Sequence, residues 1–247
     1  MRRRAGCADS MSSLLQILPE RSGSAAENMA LDFLLLQRFP QPADARFRHY
    51  GWHRPAFTFG YSQKIAAIRA ALPPGETFDL CRRQTGGGLV DHRDDWTYCL
   101  VIPRGHPLEE QPAPQSYRVV HEALADALRR QGVDAVVKSA PDPDADGPAG
   151  VCFERAEKSD VVRSADGAKI AGAAQKRNKH GLLFQGSIWR PAVGAGLDWD
   201  ALHDDFTARL AAAMGLAAEP APWPELNEDE VSGLTERYAS SEWLEQR

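Results

Sequence analysis

Apolar positions along the chain repeat with two different periods, and the switches between them outline a mixed fold. Over residues 24–39, Met29, Phe33 and Leu36 share one helical face, and Ser24 followed by Glu27 fits a capping box. Residues 46–61 instead alternate aromatic and polar side chains, which predicts an extended segment broken at Pro55. Residues 78–84 read as a strand running into a turn at Gly86, Gly87 and Gly88. The short apolar run 97–103 suits a buried strand. The helical period returns over 116–131, with Val119, Val120, Ala123, Leu124 and Leu128 on one face and Gly132 as the stop.

Residues 141–150 carry three prolines and two glycines, a composition that sustains neither a ladder nor a helix. A flexible loop is predicted there. Residues 160–175 then read as a hairpin turning at Asp166-Gly167, and 182–189 as another strand. Two helices close the chain, over 201–214 with Gly215 as cap and over 227–239 with Asn227 and Glu230 as a capping box. No internal repeat is present. Strands interleaved with helices and hairpins predict an α/β (α+β) fold, a mixed β-sheet flanked by helices, rather than a doubly wound parallel sheet.

Composition narrows the class. The chain has 247 residues, 43% hydrophobic and 26% charged, ordinary for a globular protein able to bury a full core. No apolar run approaches the roughly 20 residues of a membrane span. Residues 1–14 are expected to be a flexible N-terminus, with Met1 or Met11 as the start, and 15–247 a single domain. Cys7, Cys81, Cys99 and Cys152 show neither close pairing nor metal spacing, which fits free thiols in a reducing cytoplasm. The net charge of −5 argues against a general nucleic-acid binder. It is unevenly placed: residues 197–247 hold 12 acidic and 3 basic side chains, so that acidic helical segment carries −9 and the first 196 residues +4. Such a body suits an anionic ligand or an acidic partner, and the tail equally suits a solvated helix.

Three segments can carry chemistry. In the first, Arg82 and Arg83 precede Thr85 and the glycine triplet, and His92 follows. Glycines let a backbone approach a ligand, their amides can meet an oxyanion, and arginines can meet an anion. The same run also fits a hairpin turn with surface arginines. No Walker lysine follows it. In the second, Lys169 stands just after the predicted turn, followed by the small residues up to Gly172 and then by Gln175. A lysine there can bond a carbonyl or stabilise an anion, or can simply be solvated on an edge strand. The third is Cys152, where the Pro/Gly loop re-enters the fold. Cys81 and Cys99 lie in predicted strands, where buried structural thiols are the default. Cys152 is either a nucleophile or an incidental thiol, depending on whether a cation raises its thiolate fraction.

Taken together, Asn28-Met29-Ala30-Leu31-Asp32, Arg48-His49-Tyr50-Gly51-Trp52, the run from Arg82 to His92, the run from Lys169 to Gln175 and Gln185-Gly186-Ser187-Ile188 resemble the biotin/lipoate protein ligase superfamily. Their order and spacing match its lipoate branch. Within it the chain is most similar to the LipM-type octanoyltransferases, through residues 97–103 with His106-Pro107 and through Gly150-Val151-Cys152-Phe153, placed 17 residues before Lys169. The resemblance implies a sheet akin to class II aminoacyl-tRNA synthetase cores. It also implies an acyl thioester on Cys152 supported by Lys169, with Arg83, Thr85, Gly86, Gly87, Gly88, His92, Gly172 and Gln175 binding substrate. Implied partners are acyl carrier protein and the lipoyl domains of 2-oxoacid dehydrogenases or the glycine cleavage H protein. Residues 154–180, with 7 basic and 4 acidic side chains, suit such acidic partners.

Three positions depart from the transferase pattern. Gly88 stands where that group often has arginine, Asp160 where it often has glutamate, and Gln185 where it often has histidine. Gly88 and Asp160 are ligase-like. The alternative is therefore an ATP-dependent lipoate-protein ligase working through lipoyl-AMP, with ATP and Mg²⁺ as requirements. The transferase needs no cofactor. A third possibility is a relative that binds carrier or lipoyl domains without chemistry.

Overall fold

In a computed structural model of the chain, residues 13–38, 44–140 and 156–246 are described. The predicted loop at 141–150, Cys152 and Cys7 fall outside those residues. The described chain runs through β1 (Leu14–Ile17), α1 (Ala25–Gln37), β2 (Ala45–Tyr50), β3 (Ala56–Phe59), α2 (Ile65–Ala71), β4 (Asp79–Arg82), β5 (Leu89–Asp91) and β6 (Asp95–Pro103). It continues through α3 (Pro107–Glu110), α4 (Ala113–Arg130), β7 (Val136–Val137), β8 (Val161–Val162), β9 (Lys169–Asn178) and β10 (Gly181–Trp189). It closes with α5 (Arg190–Val193), α6 (Trp199–Met214), β11 (Ala217–Pro220), α7 (Glu228–Ala239) and α8 (Ser241–Glu245).

One sheet holds eight strands in the order β11-β1-β2-β6-β10-β9-β8-β7. β1 pairs parallel with β11 and β2, and every pairing from β2 onward is antiparallel. The expected mixed sheet flanked by helices is therefore what the chain forms. A second, three-stranded sheet, β4-β3-β5, packs beside it with Ile68 of α2.

Period-2 alternation decides what each face of the large sheet buries. Along β6, Trp96, Tyr98, Leu100 and Ile102 join the core under α4 and α6. Their neighbours Cys99 and Val101 join the core under α1 and α7. Phe206 of α6 meets Phe47 and Tyr98 edge-on, at ring-centroid distances of 5.6 and 5.2 Å. Each such buried ring stabilises the fold by roughly 1.5–3 kcal/mol.

Both predicted capping boxes form only by half. Ser24 Oγ accepts from the Glu27 amide at 3.2 Å and Asn227 Oδ1 from the Glu230 amide at 3.1 Å. The glutamate side chains turn elsewhere, Glu27 to Arg21 at 3.0 Å and Glu230 to Arg38 beyond α1 at 2.6 Å. The 160–175 hairpin is present as β8 and β9. Its turn contains Gly167 at φ +73° and the Asp166 carboxylate accepting from the Ala168 amide.

Candidate active site

One face of the large sheet carries a small, partly open cavity. Its floor is a row of side chains in register: Gly172 lies opposite Ser187, Ser187 opposite Thr97, and Thr97 opposite Tyr50. That row crosses four strands, so it spans about 14 Å at the usual interstrand spacing. Ala174 and Gln185 form a second row beside it. Met29 of α1, Val90 of β5, and Gly87 and Arg83 between the sheets complete the walls. The exposed lining is almost entirely apolar.

The glycine loop is built from inside by the two arginines. Arg83 donates to the carbonyl oxygens of Gly86 and Gly88 at 2.9 Å each, and to Thr58 Oγ1 at 2.8 Å. Gly87 takes φ +87°, open to glycine at no steric cost, and stands at the cavity mouth. Arg82 reaches the carbonyls of Tyr61, Gln63, Trp243 and Leu244, and so ties the last helix to β4. The expectation that these arginines meet an anion is corrected to this extent: each guanidinium grips backbone carbonyls of its own chain. Thr85 is fully buried and donates to Gln185 Oε1 at 2.7 Å, so it supports the floor from behind.

His92 lines the cavity with its ring stacked on Trp52 at 4.2 Å. Its Nδ1 lies 2.7 Å from Asp95 Oδ2 and its Nε2 lies 2.7 Å from Thr58 Oγ1. The same Asp95 oxygen accepts from Thr97 at 2.9 Å and from Ser187. Arg83, Thr58, His92 and Asp95 thus form one hydrogen-bonded chain along the cavity wall.

Lys169 Nζ lies 2.7 Å from Asp160 Oδ2, and both side chains are almost fully buried. A Cβ on Gly172 would stand 2.6 Å from Lys169 Cε, so the missing side chain makes room for the lysine tip. Strict alternation would put residues 169 and 172 on opposite faces. β9 pairs Val161 with Ala171 but Val162 with Lys169, and this bulge re-aims the lysine. Gln175, expected among the substrate-binding residues, is corrected: it accepts from Ser116 of α4 at 3.0 Å, on the far side of the sheet. Cys152 lies outside the described residues.

Two segments remote in sequence meet under the cavity. Arg48 and Asp32 form a fully buried ion pair at 2.7 Å. Tyr50 and Gln185 donate to the other Asp32 oxygen at 3.0 and 2.6 Å, and Arg48 donates to the Asn28 carbonyl at 2.8 Å. A buried pair survives only when its remaining valences are met, and here three donors meet those of the carboxylate. Chemical reading of single segments missed Asp32, Arg48, Asp95 and Ser187. Arg48 meets Asp32 across 16 positions and Ser187 meets Asp95 across 92, pairings that leave no local signal. Among the described residues, no group of three His, Cys, Asp or Glu side chains could hold a metal ion. No described helix is long and apolar enough to cross a membrane.

Comparison with known proteins agrees with this geometry. Octanoyltransferase LipM of Bacillus cereus is 33% identical over 191 residues, 74% of this chain, and the chain spans 66% of that protein's length. Octanoyltransferase LipM of Macrococcus caseolyticus is 29% identical over 89% of this chain and 94% of its own. Among solved structures, the bi-partite lipoate protein ligase of Thermoplasma acidophilum shares the fold, with a TM-score of 0.67 at 17% identity, covering 95% of this chain and 98% of that one. The model of the lipoyl protein ligase A/B catalytic domain matches residues 24–190, well over half of the chain, which therefore belongs to that family.

Proposed function

We infer that the chain is an octanoyltransferase of protein lipoylation, acting in the cytoplasm. It takes an octanoyl group from acyl carrier protein and delivers it to a lysine of a lipoyl domain. The observation that carries this reading is its alignment with octanoyltransferase LipM of M. caseolyticus along 89% of the chain. The apolar lining of the cavity also suits an acyl chain.

In the first step the Cys152 thiolate attacks the thioester carbonyl. The C–S bond to the carrier breaks, the carrier's thiolate leaves and takes up a proton, and octanoyl-Cys152 remains. In the second, the neutral ε-amine of the acceptor lysine attacks that carbonyl. The Cys152 thiolate departs, the amine loses its proton, and an amide is formed. Lys169, held by Asp160, supplies positive charge near the carbonyl oxygen as it becomes an oxyanion. Thioester to amide is downhill, so no ATP is required to drive it.

Intact mass spectrometry after incubation with octanoyl-acyl carrier protein, without ATP, tests the reading. Wild type gains one octanoyl group and Cys152→Ala gains none. Equal labelling of both proteins, or of neither, overturns it. Gly88 and Asp160 favour the second reading, an ATP-dependent lipoate ligase. Lipoate-dependent exchange of pyrophosphate into ATP, insensitive to Cys152→Ala, is its signature.

A further inference from the structure

The ion pair that presents Lys169 is held by a feature on the opposite side of the sheet. Ser159 has φ +74°, the left-handed region, and is the sole non-glycine with positive φ among the described residues. Asp160 follows it directly. Ser159 therefore fixes the direction in which the Asp160 carboxylate leaves the backbone. Something must hold a β-carbon-bearing residue in that conformation.

The neighbouring backbone supplies part of the hold. The Ser159 amide donates to the Lys138 carbonyl at 2.9 Å, and the Lys138 amide donates to the Asp160 carbonyl at 2.8 Å. The Glu157 amide donates to Asp160 Oδ2 at 2.8 Å. These bonds leave the Ser159 carbonyl to be met. His121 of α4 meets it, with Nδ1 at 2.5 Å. A carbonyl only accepts, so Nδ1 carries the proton. His121 is fully buried and its Nε2 has no hydrogen-bond partner. A core position packed on Phe184 at 5.8 Å and Tyr117 at 6.2 Å would be filled more cheaply by an apolar residue. The histidine is kept for one donor, aimed at one carbonyl.

We propose that His121 is a positioning residue: its Nδ1–H pins the Ser159 carbonyl, and through the left-handed turn at Ser159 it sets the Asp160 carboxylate that holds Lys169 beside the cavity. This rests on the transferase reading, since it assigns the rate effect to Lys169. It goes beyond that reading because His121 is not among the residues lining the cavity.

The test is the rate of Cys152 acylation at saturating octanoyl-acyl carrier protein, read by intact mass on the full chain. His121→Phe lowers that rate about 10- to 100-fold with the donor KM unchanged, because it displaces a charge rather than a binding surface. His121→Asn, whose amide N–H reaches the same carbonyl, stays within about threefold of wild type. In a Lys169→Ala background, His121→Phe costs nothing further. Should His121→Phe fail to fold, His121→Asn against His121→Ser carries the same comparison, since a serine hydroxyl is too short to reach. A His121→Phe protein as fast as wild type overturns the proposal. So does a His121→Asn protein as slow as His121→Phe, or an additive loss in the double variant. An unlabelled wild type instead overturns the transferase reading, and this inference with it.

Discussion

The two faces of the eight-stranded sheet start from the same alternation and end in opposite chemistry. Under α4 and α6, Phe47, Trp96, Tyr98 and Phe206 pack ring against ring. Under α1, the same strands present Thr97, Ser187, Gln185 and Tyr50 to a trough floored by small residues and backed by a buried ion pair. One face is filled by packed rings, and the other lines a cavity, where the proposed function would place the substrate. Substitutions on the first face should therefore move stability, and on the second, rate.

The largest effect is expected on the packed face. Phe206→Ala removes a ring buried against Phe47 and Tyr98 and should lower stability by about 3–5 kcal/mol. Denaturant unfolding measures it. The acylation rate of the fraction still folded should match wild type. A folded but slow variant would mean that the faces are not separable.

Gly172→Ala makes the opposite test. The new Cβ would stand 2.6 Å from Lys169 Cε and 2.7 Å from Nζ, and the tip of a flexible side chain gives way. Unfolding should be nearly unchanged, while displacement of the ammonium by about 1 Å should slow acylation on the order of 100-fold. Full activity would remove Lys169 from the mechanism.

Gly186→Ala, one strand away, should behave as a packed-face variant although Gly186 lines the cavity. Its Cβ would fall 2.1 Å from Tyr98 Cζ, a ring that cannot move without disturbing Phe47 and Phe206. Overpacking of this kind costs about 1–3 kcal/mol. Two glycines at neighbouring register positions of β9 and β10 thus report on different properties, and the pair is read by melting temperature against rate.

How much of this was legible follows from the same contrast. Helix α4 could be read because one stripe of it, including Val120, Leu124 and Leu128, is buried. β11 could not, because all four of its residues are exposed and only its parallel ladder to β1 makes it a strand. The 160–175 hairpin was legible from its turn, but the lengths of β9 and β10 depend on partners far along the chain. In the site, the glycine triplet, His92 and Lys169 stand out by residue type. That Arg83 turns inward does not, since the carbonyls it grips belong to a loop whose path is a tertiary outcome. Gln175 is placed by the plain rule: with Gly172 and Ala174 on one face, alternation sends it to the other, toward Ser116. Lys169 breaks the same rule through a bulge that no local pattern announces.

The smallest expected effect concerns the neutral histidines on the packed side. Burial holds the imidazoles of His49, His106 and His121 below their ordinary value of 6.5. His106 adds a structural reason to stay neutral, because its Nδ1 accepts from the Leu108 amide at 3.1 Å at the start of α3. The sign follows from proton counting. Near and below pH 6.5 the unfolded chain binds protons at these positions that the folded chain refuses, so acidification favours unfolding. Stability contributed by the neutral forms is complete above the unfolded value and is lost as pH falls through the window down to the lowered folded values. Melting temperature followed from pH 8 to pH 5 should thus begin to fall near 6.5. His121→Asn, which keeps a donor toward the Ser159 carbonyl but cannot titrate, should fall less steeply than wild type. An unchanged slope in His121→Asn would mean that His121 takes up no proton on unfolding, and a steeper one that it is already charged in the folded state, where the packed face provides no second acceptor.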